Sequence, residues 1–104
     1  MVVAILEEKQ FDTFIQQPFA LVDFWAPWCG PCRALALTLE HLSQEPQVVI
    51  GKVNVEEEAM QSLVQRYAIR SIPALFFFKN GTCVETHIGS LPEADLREKI
   101  HRFL

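Results

Sequence analysis

"DFWAPWCGPCR", residues 23–33, joins an apolar, aromatic run to two cysteines separated by two residues. Upstream, "FALVDFWA" (residues 19–26) is apolar on both alternating faces, the pattern of a strand covered on both sides. Downstream, from Pro31 to about Gln44, Cys32, Leu35, Ala36, Leu39 and Leu42 recur as one helical stripe. Proline at the start of that helix is well placed, because the first turn has no use for its missing N–H. The cysteine pair therefore lies at a junction between a buried strand and a helix N-terminus.

Working outward, the same two periodicities alternate along the chain. "VVAIL" (residues 2–6) reads as a strand, and "EEKQFDTFIQQ" (residues 7–17) puts Phe11, Phe14 and Ile15 on one helical face before Pro18 ends it. "QVVIGKVNVE" (residues 47–56) is a second buried-type strand, followed by Ala59, Met60, Leu63, Val64 and Tyr67 at helical spacing. "ALFFFK" (residues 74–79) and "TCVETHI" (residues 82–88) flank Asn80-Gly81, a strong hairpin signal. Leu96, Ile100 and Phe103 mark a last helix from near Pro92. The order βαβαβαββα predicts one α/β domain over residues 1–104, a central mixed sheet of about five strands flanked by four helices. Strands separated by helices are expected to be parallel and the closing hairpin antiparallel.

Half of the 104 residues are hydrophobic, eight of them Phe and two Trp, enough for a sizeable core without staples. A net charge of −4 with no basic cluster argues against a nucleic-acid partner. No apolar run approaches the roughly 18–20 residues of a membrane span. "MVVAILEEKQ" lacks a basic leader region and reads as a first strand rather than a signal peptide. A soluble intracellular protein is expected.

A Cys-x-x-Cys can hold a metal, form a fixed bridge, or cycle between dithiol and disulfide. A structural zinc site needs four ligands, and only Cys83, His41, His87 and His101 remain, with no shared spacing; no metal site is expected. A fixed bridge fits poorly with an intracellular chain whose core is self-sufficient. Redox cycling uses the junction directly and calls for no cofactor. Cys29, near the helix N-terminus, gains thiolate character from free N–H groups and the helix dipole. Cys32, on the apolar stripe, should be the more buried. Cys29 then attacks a substrate disulfide and Cys32 resolves the mixed disulfide. Asp23 is the lone charge in its strand and Lys52 is equally isolated in "VVIGKVNVE", so the two are candidate partners.

With "WCGPC", the segments "KVNVEEE", "YAIRSIPALFFFKNG" and "IGSL" appear in an order that resembles the thioredoxin family from end to end. The resemblance implies the thioredoxin fold and a cytoplasmic, monomeric protein-disulfide reductase contributing to cell redox homeostasis. Its implied partners are disulfide-containing protein substrates and a thioredoxin reductase that recharges it. It also implies that Asp23 accepts the proton of Cys32 through water, that Lys52 tunes Asp23, and that the Ile72–Pro73 bond is cis. Ile72 and Pro73 would line the substrate groove, with Trp28, Gly30, Pro31 and Gly89 on the same docking surface. The residues alone leave other readings open: a purely structural Asp23–Lys52 pair, a trans Pro73, Trp28 as packing, Gly89 as a strand terminator. Rival functions are a thiol oxidase or isomerase and a redox-inert binding or assembly module.

Two positions depart from the family pattern. Leu37 stands where a helix-kinking proline is usual, and Ala74 where threonine is common after the cis proline. At 100° per residue Leu37 lies about 140° from Cys32, so partial exposure and a straighter helix are expected. Cys83 reads as an incidental edge-strand residue, with a regulatory thiol as the rival.

Overall fold

In the computed structural model, which describes residues 1–104, the alternating pattern becomes five strands and four α-helices. These are β1 (Val2–Ala4), α1 (Glu8–Phe14), β2 (Ala20–Trp25), α2 (Gly30–Leu42), β3 (Ile50–Asn54), α3 (Gln61–Arg66), β4 (Ala74–Lys79), β5 (Thr82–Ile88) and α4 (Glu93–Phe103). A short 3₁₀ turn, Glu58–Met60, leads into α3. The strand order is β1-β3-β2-β4-β5. β1 and β2 both run parallel to β3, whereas β4 is antiparallel to β2 and to β5.

The mixed sheet matches the sequence reading, but one crossover does not. β3 and β4 are separated by a helix, yet β4 runs opposite to β3. The connection, residues 55–73, spends its length on the 3₁₀ turn, α3 and the loop to Pro73 without returning along the sheet, so β4 starts at the end where β3 stops.

Alternation along β2 divides the core in two. Val22 and Phe24 face α1 and α3, packing with Phe11, Phe14, Met60, Leu63, Phe76 and Phe78. Leu21 faces the other way, against Leu35, Leu39 and Leu42 of α2 and Leu96 and Ile100 of α4. Every β2 residue from Ala20 to Phe24 is buried. Hydrogen bonded on both edges, β2 is the rigid element on which the cysteine junction rests.

The hairpin signal also holds. Asn80 (φ 51°) and Gly81 (φ 87°) both take the left-handed conformation that a two-residue turn between twisted strands requires. α2 is an uninterrupted helix, with Leu37 76% exposed on its outer side. Cys83 lies on β5, an edge strand, as expected.

Candidate active site

Three elements meet at the carboxyl end of β2: the β2–α2 loop, the segment after β3, and the entry to β4. Cys29 is the N-cap of α2. Its backbone is extended (φ −86°, ψ 110°), and its sulfur accepts the Cys32 N–H at 3.2 Å, one of the donors that a helix start leaves free. Arg33 N–H donates to the Cys29 carbonyl at 3.1 Å, and the Arg33 guanidinium donates to the Pro27 carbonyl at 3.1 Å, tying down the loop that carries Trp28. Cys29 and Cys32 are joined as a disulfide with their Cα atoms 5.2 Å apart.

Both cysteines are buried in this oxidised state, Cys29 at 5% exposure and Cys32 at 1%. The expected order holds, though the gap is narrow. They pack with Ala26, and Trp25, Val55 and Ile72 lie against the cluster. Trp28, next to Cys29, is 65% exposed, and Gly30 and Pro31 are exposed beside it. A buried sulfur pair is thus flanked by an open apolar rim.

The Ile72–Pro73 peptide bond is cis. Pro73 enters β4, an internal strand, so its missing N–H falls just before the ladder begins at Ala74. The Gly89 N–H donates to the Pro73 carbonyl at 2.8 Å. Gly89 has φ 95°, and a Cβ there would meet nothing within 4 Å, so its conformation and not close packing calls for glycine. It both ends β5 and anchors the Pro73 segment.

Asp23 is fully buried on the face of β2 that α2 covers, opposite Lys52 of β3 and Leu75 of β4. Neither carboxylate oxygen has a hydrogen-bond partner in the protein. Burial pushes the carboxyl up from 3.8 to about 7, while the Lys52 charge acts in the opposite direction. The candidate pairing with Lys52 is not made as a contact. The ammonium instead lies over the Trp25 ring, 4.4 Å from its centroid. This arrangement was not legible beforehand, because it depends on the β2–β3 register.

Val55 and Ala26, which line the cysteine cluster, also went unmarked in the sequence; only their apolar character was visible. The histidines divide. His41 pairs with Glu93 at 2.7 Å and His101 with Glu45 at 2.8 Å, both on the surface. His87 is half-buried, with Nε2 enclosed and unpartnered. At Cys83 burial raises the thiol pKa, the reverse of what activates a nucleophile. No group of three or more His, Cys, Asp or Glu side chains is placed to hold a metal ion, and no helix is long and apolar enough to cross a membrane.

Two cysteines joined at a helix N-terminus beside an exposed apolar rim can cycle between dithiol and disulfide, the chemistry of a thiol–disulfide oxidoreductase. Comparison with known proteins gives the family. The family model described as Thioredoxin matches residues 2–102. Thioredoxin of Bacillus subtilis (strain 168) is 37% identical over 106 residues, covering 100% of both chains. "Thioredoxin M-type, chloroplastic" of Pisum sativum is 37% identical over 106 residues, covering 98% of this chain but 60% of the pea protein's own length. A mutant thioredoxin from Halobacterium salinarum NRC-1 superposes with a TM-score of 0.90 at 29% identity, covering 98% of this chain and 89% of that one. The chain belongs to the thioredoxin family, and its activity is that of a protein-disulfide reductase.

Proposed function

We propose that Cys29 is the attacking thiol, Cys32 the resolving thiol and Asp23 the proton acceptor for Cys32, with residues 1–104 acting as one domain. In the dithiol form, the Cys29 thiolate attacks one sulfur of a substrate disulfide and releases the other as a thiolate. Asp23 takes the Cys32 proton through water. The Cys32 thiolate then attacks Cys29, forming the Cys29–Cys32 disulfide and expelling the second substrate thiol. Two electrons pass to the substrate, whose released thiolates take up protons from Asp23 and from water. A thioredoxin reductase returns the electrons, with the protein monomeric and in the cytoplasm.

The observation that carries this reading is the buried, unpartnered Asp23 carboxyl on the α2-covered face of β2. Its pKa of about 7 suits it both to take and to release a proton near neutrality. Lys52 tunes that carboxyl by its charge. Trp28, Gly30 and Pro31 form the exposed apolar side of the docking surface. Ile72, Pro73 and Gly89 form the other side, where the Ile72 backbone can pair with an extended substrate segment.

The test is reductase-coupled turnover of a disulfide-bonded protein. Cys29→Ser should abolish turnover. Cys32→Ser should leave a mixed disulfide on Cys29, visible as a mass increase lost on reduction. Wild-type turnover by Cys29→Ser would refute the assignment.

A further inference from the structure

Lys52 and Asp23 are register partners on adjacent strands, yet the cation does not close onto the acid. Trp25 follows Asp23 by two residues, so its side chain lies on the same sheet face, about 7 Å further along the strand. The ammonium goes there, to the ring face. Solvation and the ring together set the choice. Asp23 is fully buried, whereas Trp25 and Lys52 are only half-buried. Over the ring the ammonium keeps water on its open side and gains a cation–π attraction. Contact with Asp23 would strip that water for a Coulombic gain of similar size, so the attraction of the ring decides between the two positions.

We propose that Trp25 is a positioning residue for Lys52: its ring holds the ammonium out of contact with Asp23, leaving both carboxyl oxygens free for proton exchange with Cys32. This rests on the reading of Asp23 as proton acceptor. Around Asp23, β3 presents Lys52 and β4 presents Leu75; His87 lies one strand further out, opposite Leu75. Lys52 is therefore the one charge whose placement sets the electrostatics of that carboxyl, and Trp25 fixes the placement.

A double-mutant cycle read by carboxyl-carbon NMR titration of Asp23 in the oxidised protein tests this. Lys52→Met should raise the Asp23 pKa, because a nearby positive charge is lost. In a Trp25→Leu background that displacement should be about twofold larger, the increase expected from inverse-distance scaling when a separated pair closes to contact. Trp25→Phe, which keeps a ring face, should behave like wild type. Equal displacements in all three backgrounds would overturn the proposal. A readout needing no variant guards against misfolding: ring-current shielding should move the Lys52 ε-methylene proton resonances upfield in the wild type, and ordinary solvent-exposed positions would also overturn it. Because turnover is not measured, the cycle is independent of what Asp23 does in catalysis. If it is coupled while Asp23→Asn resolves mixed disulfides normally, the positioning stands and the proton-acceptor reading falls.

Discussion

Phe24 and Asp23 are neighbours on β2, both with 0% exposure, and they face opposite sides of one sheet. On one side Phe24 sits among Phe76, with ring centroids 5.2 Å apart in an edge-on arrangement, and Tyr67 at 6.1 Å. Every group there is satisfied by packing. On the other side an equally buried carboxyl has no hydrogen-bond partner. Burial alone therefore does not say what a residue contributes. At Phe24 it stabilises the fold, and at Asp23 it raises the carboxyl pKa at the expense of stability.

The largest expected effect comes from the stabilising side. Phe24→Ala should cost about 3–5 kcal/mol, since the cavity cannot collapse among so many rings. Because no titrating group is involved, the loss measured by guanidinium denaturation should be the same at pH 4 and pH 8. A pH-dependent loss would show that the two faces are coupled and dissolve the contrast.

Asp23→Asn should act in the opposite direction. The folded protein holds the Asp23 proton up to about 7, against 3.8 ordinarily, so wild-type stability declines as pH rises between those values and levels off above. The interval from 3.8 to about 7 is worth on the order of 4 kcal/mol at 1.36 kcal/mol per pH unit. An unsatisfied amide takes back about 1–3 kcal/mol. The oxidised variant should thus gain about 1–3 kcal/mol at pH 8 and lose about 1–3 kcal/mol at pH 4. Resolution of the mixed disulfide, followed by stopped flow, should slow by about a hundredfold. Equal gains at both pH values would mean that Asp23 is not buried as a titrating acid.

The contrast was half legible in the sequence. Phe24 follows from the apolar run of residues 19–26, and Asp23 stood out because a lone acid in such a run violates the pattern. The junction position of Cys29 and Cys32 was equally plain, since strand and helix periodicities meet there. What stayed hidden depends on register and on chain return. Lys52 could be named as a partner but not sent to Trp25, because the choice between ring and carboxylate turns on how far each is buried. The reversal of β4 stayed hidden because helical spacing in residues 59–67 marks a helix without revealing at which end the chain re-enters the sheet.

Glu85 on the edge strand β5 offers the mildest test, because it is Asp23's opposite: a carboxyl with partners and access to water. Its hydrogen bond from Lys99 holds its pKa below the ordinary 4.5, with the charges of Lys99 and Arg102 acting in the same direction. A lowered carboxylate contributes stability above its unfolded value and loses it as pH falls through the folded one. The side chain is 23% exposed, so solvent screens the pair, and Glu85→Gln should cost at most about 1 kcal/mol at pH 7. At pH 3 the wild type has begun to lose the same interaction, and the difference should shrink. The two acids thus predict opposite signs: Asp23→Asn stabilises at high pH, and Glu85→Gln destabilises there. A stabilising Glu85→Gln at pH 7 would mean that the edge pair, like the buried acid, is held against the fold's own preference.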